Sequence, residues 1–226
     1  MKNWSRHLRL LPPEALLKTS EVDHADWNHQ PLRGTIMRLR PRLVLSLLAR
    51  QRFRRMLEVG YGSGVFMPEL ARHCDELYGI DPHNQHQAVS EVLARFDVAA
   101  RLFSGSVSSL PFGDQFFDCV VAVSTLEFVD DLEAACLEIK RVLKPEGWLI
   151  VVTPGCSPVV DFGLWVLTRE SAKNDFGDRR RTLIPTLLKH FAVQRRLTIP
   201  PVGSSVICLY TALKLCVPAE RNIRAS

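Results

Sequence analysis

Apolar and polar positions follow two rhythms along this chain. Met56, Leu57 and Val59 form one short apolar run, Leu77 to Ile80 a second, and Val120 to Ser124 and Trp148 to Val152 two more. Runs of this kind predict strands buried on both faces. Between them, Phe66 to His73 and Asp131 to Lys144 carry the helical period. In the second of these, Leu132, Ala135, Cys136, Ile139 and Leu143 share a face that Glu133, Glu138, Lys140 and Lys144 avoid, and Pro145 and Gly147 stop it. Strand alternating with helix from Arg55 to Val152 predicts an α/β fold, a doubly wound parallel sheet with helices on both faces.

The ends of the chain read differently. Ile36, Leu39, Leu43, Val44, Leu47 and Leu48 recur at helical spacing and predict an amphipathic helix, bent or restarted at Pro41, that packs on the sheet or covers its working end. Ahead of it, Asp26 to Arg33 is polar and aromatic, which suits a segment closing over a ligand or a surface loop anchored by Trp27. After the last central strand, Thr153 to Asp178 is punctuated by proline and glycine and predicts an irregular or helical insertion. Leu183 to Phe191 predicts a helix with Pro185 in its first turn, and Val193 to Ile199 and Ser205 to Ala212 predict closing strands.

Composition narrows the class. A chain of 226 residues with 46% hydrophobic content can bury one substantial core. Six cysteines, at positions 74, 119, 136, 156, 208 and 216, include no C-x-x-C pair and sit mostly in apolar surroundings, as in a reducing, cytoplasmic protein without a metal site. No signal-peptide core follows the basic start, because Arg9 and Pro12-Pro13 interrupt it. The net charge of +5 comes mainly from residues 33–55, Arg179-Arg180-Arg181 and Arg195-Arg196. These lack the interleaved aromatics of a single-strand stacking platform, so no nucleic acid is expected. Val159 to Leu167, with Trp165, precedes the triple arginine; the pattern suits peripheral membrane contact or a lid helix over a greasy substrate. Nothing in the sequence fixes an oligomeric state.

The chemistry is concentrated in Met56-Leu57-Glu58-Val59-Gly60-Tyr61-Gly62-Ser63-Gly64, where a strand runs into three closely spaced glycines and then a helix expected near Val65. Glycines there let the backbone turn sharply and approach a ligand, facing the amides of the next helix. Asp81 ends the second strand just before Pro82 and stands 21 positions after Gly60. That matches the roughly 20 residues separating a glycine loop from a carboxylate that accepts from a ribose diol. The third glycine comes one position too early for the dinucleotide fingerprint G-x-G-x-x-G, and Val65 stands where that motif ends.

At this point the chain resembles the class I S-adenosylmethionine-dependent methyltransferases, whose first motif is an acid followed by this glycine spacing. Residues 105–118, with Leu110-Pro111-Phe112 and Phe117-Asp118, are similar to the family's loop into strand four; Leu126-Glu127-Phe128-Val129 resembles its Leu-Glu-His-Val, and residues 141–147 its Arg-Val-Leu-Lys-Pro-Gly-Gly. The nearest resemblance is to small-molecule enzymes of the quinone-precursor type. It implies a Rossmann-like, mostly parallel seven-stranded sheet with an antiparallel C-terminal edge hairpin. Residues 1–54 would be a helical lid, 55–217 the methyltransferase domain with an insertion at about 154–182, and 218–226 a tail. It further implies that S-adenosyl-L-methionine is the cofactor, S-adenosyl-L-homocysteine the product and a small molecule the acceptor. Gly60, Gly62 and Gly64 would pass beneath the methionine part, Glu58 order the loop, Asp81 and Pro82 meet the ribose, and Ser106 with Val107 border the adenine. Ser124 and Tyr61 would also face the cofactor, and Trp27, Arg33, Tyr61 again, Phe128 and Trp165 the acceptor. Two positions depart from many relatives: Ser106 replaces an Asp that accepts from the adenine amino group, and Phe128 replaces a frequent His. Glu127 is then the best-placed carboxylate to act as base. The Asn/Asp-Pro-Pro-Tyr of amino-methyltransferases acting on DNA is replaced by Ser124-Thr125-Leu126-Glu127. The same motifs leave open a cofactor-binding enzyme of another reaction, such as cyclisation, and a noncatalytic partner.

Overall fold

The computed structural model describes residues 8–20, 23, 25–31, 33–49, 51–155, 179–201 and 208–218. Seven strands form one sheet in the order β3-β2-β1-β4-β5-β7-β6. They are β1 (Phe53–Val59), β2 (Cys74–Asp81), β3 (Ala100–Ser104), β4 (Phe117–Val123), β5 (Leu143–Pro154), β6 (Ala192–Ile199) and β7 (Tyr210–Cys216). β1 to β5 pair in parallel, while β7 runs antiparallel to both β5 and β6. The mostly parallel sheet with an antiparallel edge hairpin is as expected from the sequence.

Strand alternation sorts the core into two layers. Met56, Cys119, Val121, Ile150 and Val152 face one side and pack with Leu43, Val44, Leu47, Leu48, Val89 and Leu93. Their neighbours Leu57, Val59, Val120, Ala122, Leu149 and Val151 face the other and pack with Ala135, Cys136, Ile139, Leu183 and Leu187. Each side of the sheet is therefore dry, which is why the strands read as continuous apolar runs. The helices are α1 (Arg33–Met37), α2 (Leu39–Leu48), α3 (Met67–Leu70), α4 (His86–Arg95), α5 (Leu132–Val142) and α6 (Arg179–His190). No helix among the described residues is long and apolar enough to cross a membrane.

Several boundaries differ from the sequence reading. The helix after the glycine loop starts at Met67, because residues 61–67 are spent on two tight turns, Gly64 N to Tyr61 O (2.8 Å) and Met67 N to Gly64 O (3.1 Å). It continues only as a 3-10 turn, Ala71–His73. α5 begins at its cap, the Asp131 carboxylate accepting from Ala134 N, but ends at Val142. Leu143 pairs instead with Phe117, so β5 starts before Pro145. α6 reaches back to Arg179 and carries Pro185 in its interior. β4 ends at Val123, and the last strand is shifted toward the C-terminus, to Tyr210–Cys216, where Leu213 and Leu215 complete the α5/α6 face of the core. Pro41 stands in the first turn of α2, where its missing amide costs nothing, so the N-terminal helix restarts there as expected.

Candidate active site

In the strand order, β1 sits between β2 and β4, and chain direction carries connections away on opposite sides of it; ligands bind beyond the carboxyl ends of strands at such a switch point. Gly60 leaves β1 there at φ +74°, followed by Gly62 at +51° and Gly64 at +74°. All three lie in the left-handed region where a side chain is strained. Gly60 has a second reason: a Cβ would lie 2.2 Å from Thr125 Oγ1.

The loop is fastened to the end of β2. Gly60 N donates to Ile80 O (2.8 Å) and Gly62 N to Asp81 Oδ2 (2.9 Å). A ring nitrogen of His83 meets Gly62 O at 3.0 Å, and the Tyr61 ring packs edge-on against His83 at 5.0 Å. Asp81 thus has a structural bond that the motif spacing did not disclose. Its Oδ1 receives a long bond from His83 N (3.3 Å) and lies 3.8 Å from the His83 ring nitrogen, which leaves acceptor capacity on the carboxyl group.

Buried polar atoms without a partner among the described residues gather around this loop: Glu58 Oε2, Tyr61 Oη and Ser63 Oγ. Burial, followed by the charge of Asp81, pushes the Glu58 carboxyl up to about 8, so it is largely protonated at neutral pH. Burial likewise raises the Tyr61 phenol. Unsatisfied donors and acceptors in a dry place cost about 1–3 kcal/mol each, and a polar ligand offsets that cost. These orphaned atoms and the side-chain-free backbone fit a nucleoside cofactor with an amino-acid tail. On the other edge, Pro82 and Ser106 are exposed and Val107 is buried. The Ser106 hydroxyl accepts from Ser108 N at 3.1 Å.

A second polar group lies at the ends of β4, β5 and β7. Ser124 follows β4 at φ +52°, its amide donating to Val152 O (2.7 Å) and its hydroxyl buried and unpartnered among the described residues. A non-glycine residue held left-handed costs roughly 1–2 kcal/mol, and such outliers concentrate at functional sites. The turn Leu126–Phe128 then swings Glu127 inward until it is 1% exposed. By strict geometry neither of its carboxyl oxygens, nor the neighbouring Thr153 hydroxyl, has a hydrogen-bond partner among the described residues, although the Thr153 hydroxyl and the Glu127 amide lie close enough to favour the ionised carboxylate. Burial pushes the Glu127 pKa up to about 7, against the lowering influence of its own backbone amide and then of Arg180, Arg40 and the Thr153 hydroxyl. Arg180, 7% exposed, bonds the Gly155 carbonyl from α6. Tyr210, buried at the start of β7, feels both Arg40 and Glu127.

The sequence reading named Glu127 and Ser124 but missed Thr125, Thr153, Arg40, Arg180, Tyr210 and His83. Arg180 carried a misleading signal, since in Arg179-Arg180-Arg181 it reads as surface charge. It is in fact buried, Arg179 pairs with Asp130, and only Arg181 is exposed. The structure brings Trp27 and Arg33 together, the guanidinium 4.7 Å from the ring centre, at the 3-10 turn Ala25–His29 that precedes α1. Phe128 is half-buried beside Glu127. Trp165 and the Val159–Leu167 stretch lie outside the described residues.

Residues 57–151 match a family described as a methyltransferase domain. The chain is similar to the sterol 4-C-methyltransferase strm-1 of Caenorhabditis elegans, with 31% identity over 42% of this chain and 29% of that protein. It is similar also to the demethylmenaquinone methyltransferase of Roseiflexus castenholzii, with 30% identity over 50% of this chain and 48% of that one. The chain thus spans less than half the length of these two relatives. Its fold resembles that of the N-methyltransferase NodS from Bradyrhizobium japonicum WM9 in complex with S-adenosylhomocysteine, with a TM-score of 0.63 and 17% identity over 89% of this chain and 95% of that one. Fold, motif order and family match agree: residues 57–151 form a methyltransferase domain, and the chain has the fold of S-adenosylmethionine-dependent methyltransferases.

Proposed function

We propose that this chain transfers a methyl group to a small-molecule acceptor, with Glu127 as the base that takes the acceptor's proton. The observation that carries the reading is the Glu127 carboxyl, wholly buried at the end of β4, without a bonding partner among the described residues and raised to about 7. A base with a pKa near the operating pH is the one that general catalysis uses best.

When bound, S-adenosylmethionine supplies a methyl carbon made electrophilic by its positive sulfur, and S-adenosylhomocysteine remains after transfer. The work left to the protein is placement. Gly60, Gly62 and Gly64 carry the methionine part, Glu58 offers a carboxyl proton from beneath the loop, Asp81 with Pro82 meets the ribose, and Ser106 and Val107 border the adenine. Ser124 borders the cofactor, and Glu127 and Thr153 face the acceptor, with Tyr61 and Phe128 at its sides and Trp27 and Arg33 on the N-terminal extension. Holding the nucleophile about 3–3.5 Å from the methyl, in line with the departing sulfur, is worth roughly 7–11 kcal/mol of barrier. Residues 1–54 act as the N-terminal extension and residues 55–217 as the domain, with α2 of the extension packed into the core of the domain's sheet.

The test is the mass of the product formed from a panel of small phenols, amines and activated-carbon acceptors. A gain of one methyl supports transfer and an isomer supports cyclisation. No turnover, with S-adenosylhomocysteine still bound, favours a noncatalytic partner.

A further inference from the structure

The N-terminal segment grips the glycine loop as well as covering the sheet. Leu11 is fully buried and its amide donates to Val65 O at 3.1 Å; the Arg9 amide donates to Glu69 Oε2 at 2.7 Å, and Gln85 Nε2 donates to Lys18 O at 3.3 Å. This strap lays Asp23 against Gly62, where a Cβ would meet the two oxygens and the carbon of the Asp23 carboxyl at 3.5 to 3.7 Å. The Asp23 carboxyl is held in place: Oδ2 accepts from Thr19 Oγ1 (2.7 Å) and more weakly from Thr19 N (3.4 Å), and Oδ1 from Ala25 N (3.1 Å). Each carboxylate oxygen accepts about two hydrogen bonds, so Oδ1 keeps an open position.

Two carboxylates therefore border Gly62, Asp23 across the space a Cβ would enter and Asp81 through its bond from the Gly62 amide. Beside them, Glu58 is 4% exposed, with Oε2 unpartnered among the described residues, and Tyr61 Oη and Ser63 Oγ are in the same condition. Two acids against one loop, together with buried polar atoms awaiting a partner, fit a ligand that brings a cationic hydrogen-bond donor. We infer that Asp23 is the counter-charge of the α-ammonium on the cofactor's methionine part, which makes the N-terminal strap a wall of the cofactor site. The inference rests on the proposed position of the methionine part over the glycine loop. The ammonium is the group selected because it carries three N–H donors, whereas the sulfonium carries none and must stay open toward the acceptor.

Calorimetry on the full chain, using S-adenosylmethionine, S-adenosylhomocysteine and 5′-methylthioadenosine, tests this. The last probe keeps the adenosine and the thioether but lacks the amino-acid part. Asp23→Asn is expected to weaken both full-length probes alike, by about 10- to 100-fold, the span of a hydrogen bond to a charged group, while leaving methylthioadenosine unchanged. Thr19→Val, which loosens the strap but keeps the carboxylate, is expected to hold S-adenosylhomocysteine affinity within about threefold, far less than the loss of a charged bond. Unchanged S-adenosylhomocysteine binding in Asp23→Asn overturns the inference. So does a loss confined to S-adenosylmethionine, which would make the sulfonium the partner, or an equal loss of methylthioadenosine, which would make Asp23 a strap anchor alone. A wild-type protein that binds methylthioadenosine but gains nothing from the amino-acid part would instead refute the placement of the loop beneath it.

Discussion

The two halves of the candidate site are built on opposite plans. At the ends of β1 and β2, one short loop is fastened by its own neighbours: Gly60 to Ile80, Gly62 to Asp81, and His83 back to Gly62. At the ends of β4, β5 and β7, Ser124, Glu127, Thr153 and Tyr210 come together with Arg40 and Arg180 from separate helices, and Ser124, Glu127 and Thr153 keep polar atoms unpartnered among the described residues. The difference teaches that the backbone of the glycine loop is secured by local hydrogen bonds and the second group is assembled from distant elements, while both keep buried polar side chains in reserve, Glu58, Tyr61 and Ser63 at the loop and Ser124, Glu127 and Thr153 at the other end. Such reserve costs stability in the free protein and suits a pocket that must accept a proton.

The contrast breaks most directly at Glu127. In Glu127→Gln, single-turnover transfer is expected to slow by about 10²- to 10⁴-fold, the usual range for a lost general base, while S-adenosylhomocysteine binds within a factor of about two. In the wild type the same rate should rise through pH 7 as the carboxyl loses its proton, and the variant should lose that rise. An unaltered rate would remove Glu127 as base and leave the acceptor end without its distinguishing group.

Gly60→Ala attacks a direct steric contact between the halves. A Cβ at φ +74° and 2.2 Å from Thr125 Oγ1 should cost about 2–4 kcal/mol in denaturant unfolding. Adding Thr125→Ala should recover the steric part and leave the strained backbone; full recovery would show that the left-handed conformation matters little.

Asp81→Ala sharpens the cofactor side. It strands the Gly62 amide as well as removing the proposed ribose acceptor, so S-adenosylhomocysteine binding should fall by about 10- to 100-fold in a folded protein. Equal affinity by calorimetry would sink the ribose assignment.

The smallest effect concerns stability. The Glu58 and Glu127 carboxyls are raised to about 8 and about 7 in the folded state, so the native protein holds protons that the unfolded chain releases near its ordinary carboxylate pKa. Stability from these groups is present at low pH and is lost as pH climbs from about 4.5 through 7 to 8. Replacing Glu127 by Gln should therefore raise the melting temperature at pH 8 and change it little at pH 5. The reverse order would mean that the carboxylate is well solvated or paired.

Much of the cofactor end was legible because its parts are close in sequence and each answers a local demand. Positive φ calls for Gly60, Gly62 and Gly64, and the end of β2 fixes where Asp81 falls. Even there, the bond from Gly62 to Asp81 and the role of His83 needed the fold, since nothing in the spacing says which acceptor a loop amide will find. The acceptor end was legible only as Glu127. Arg180 reads as one of three surface arginines until α6 turns it inward, and Arg40 reads as one more charge on an amphipathic helix.

The sequence by itself determined the alternation of strand and helix, the glycine turn and the acid at the tip of the second strand, because backbone conformation and burial of an apolar face are dictated by neighbours within a few residues. Tertiary structure alone decided which charges became buried and which polar atoms were left without partners. Those properties depend on what packs against a residue from distant parts of the chain, and desolvation, the largest influence on Glu58 and Glu127, has no existence until that packing is complete.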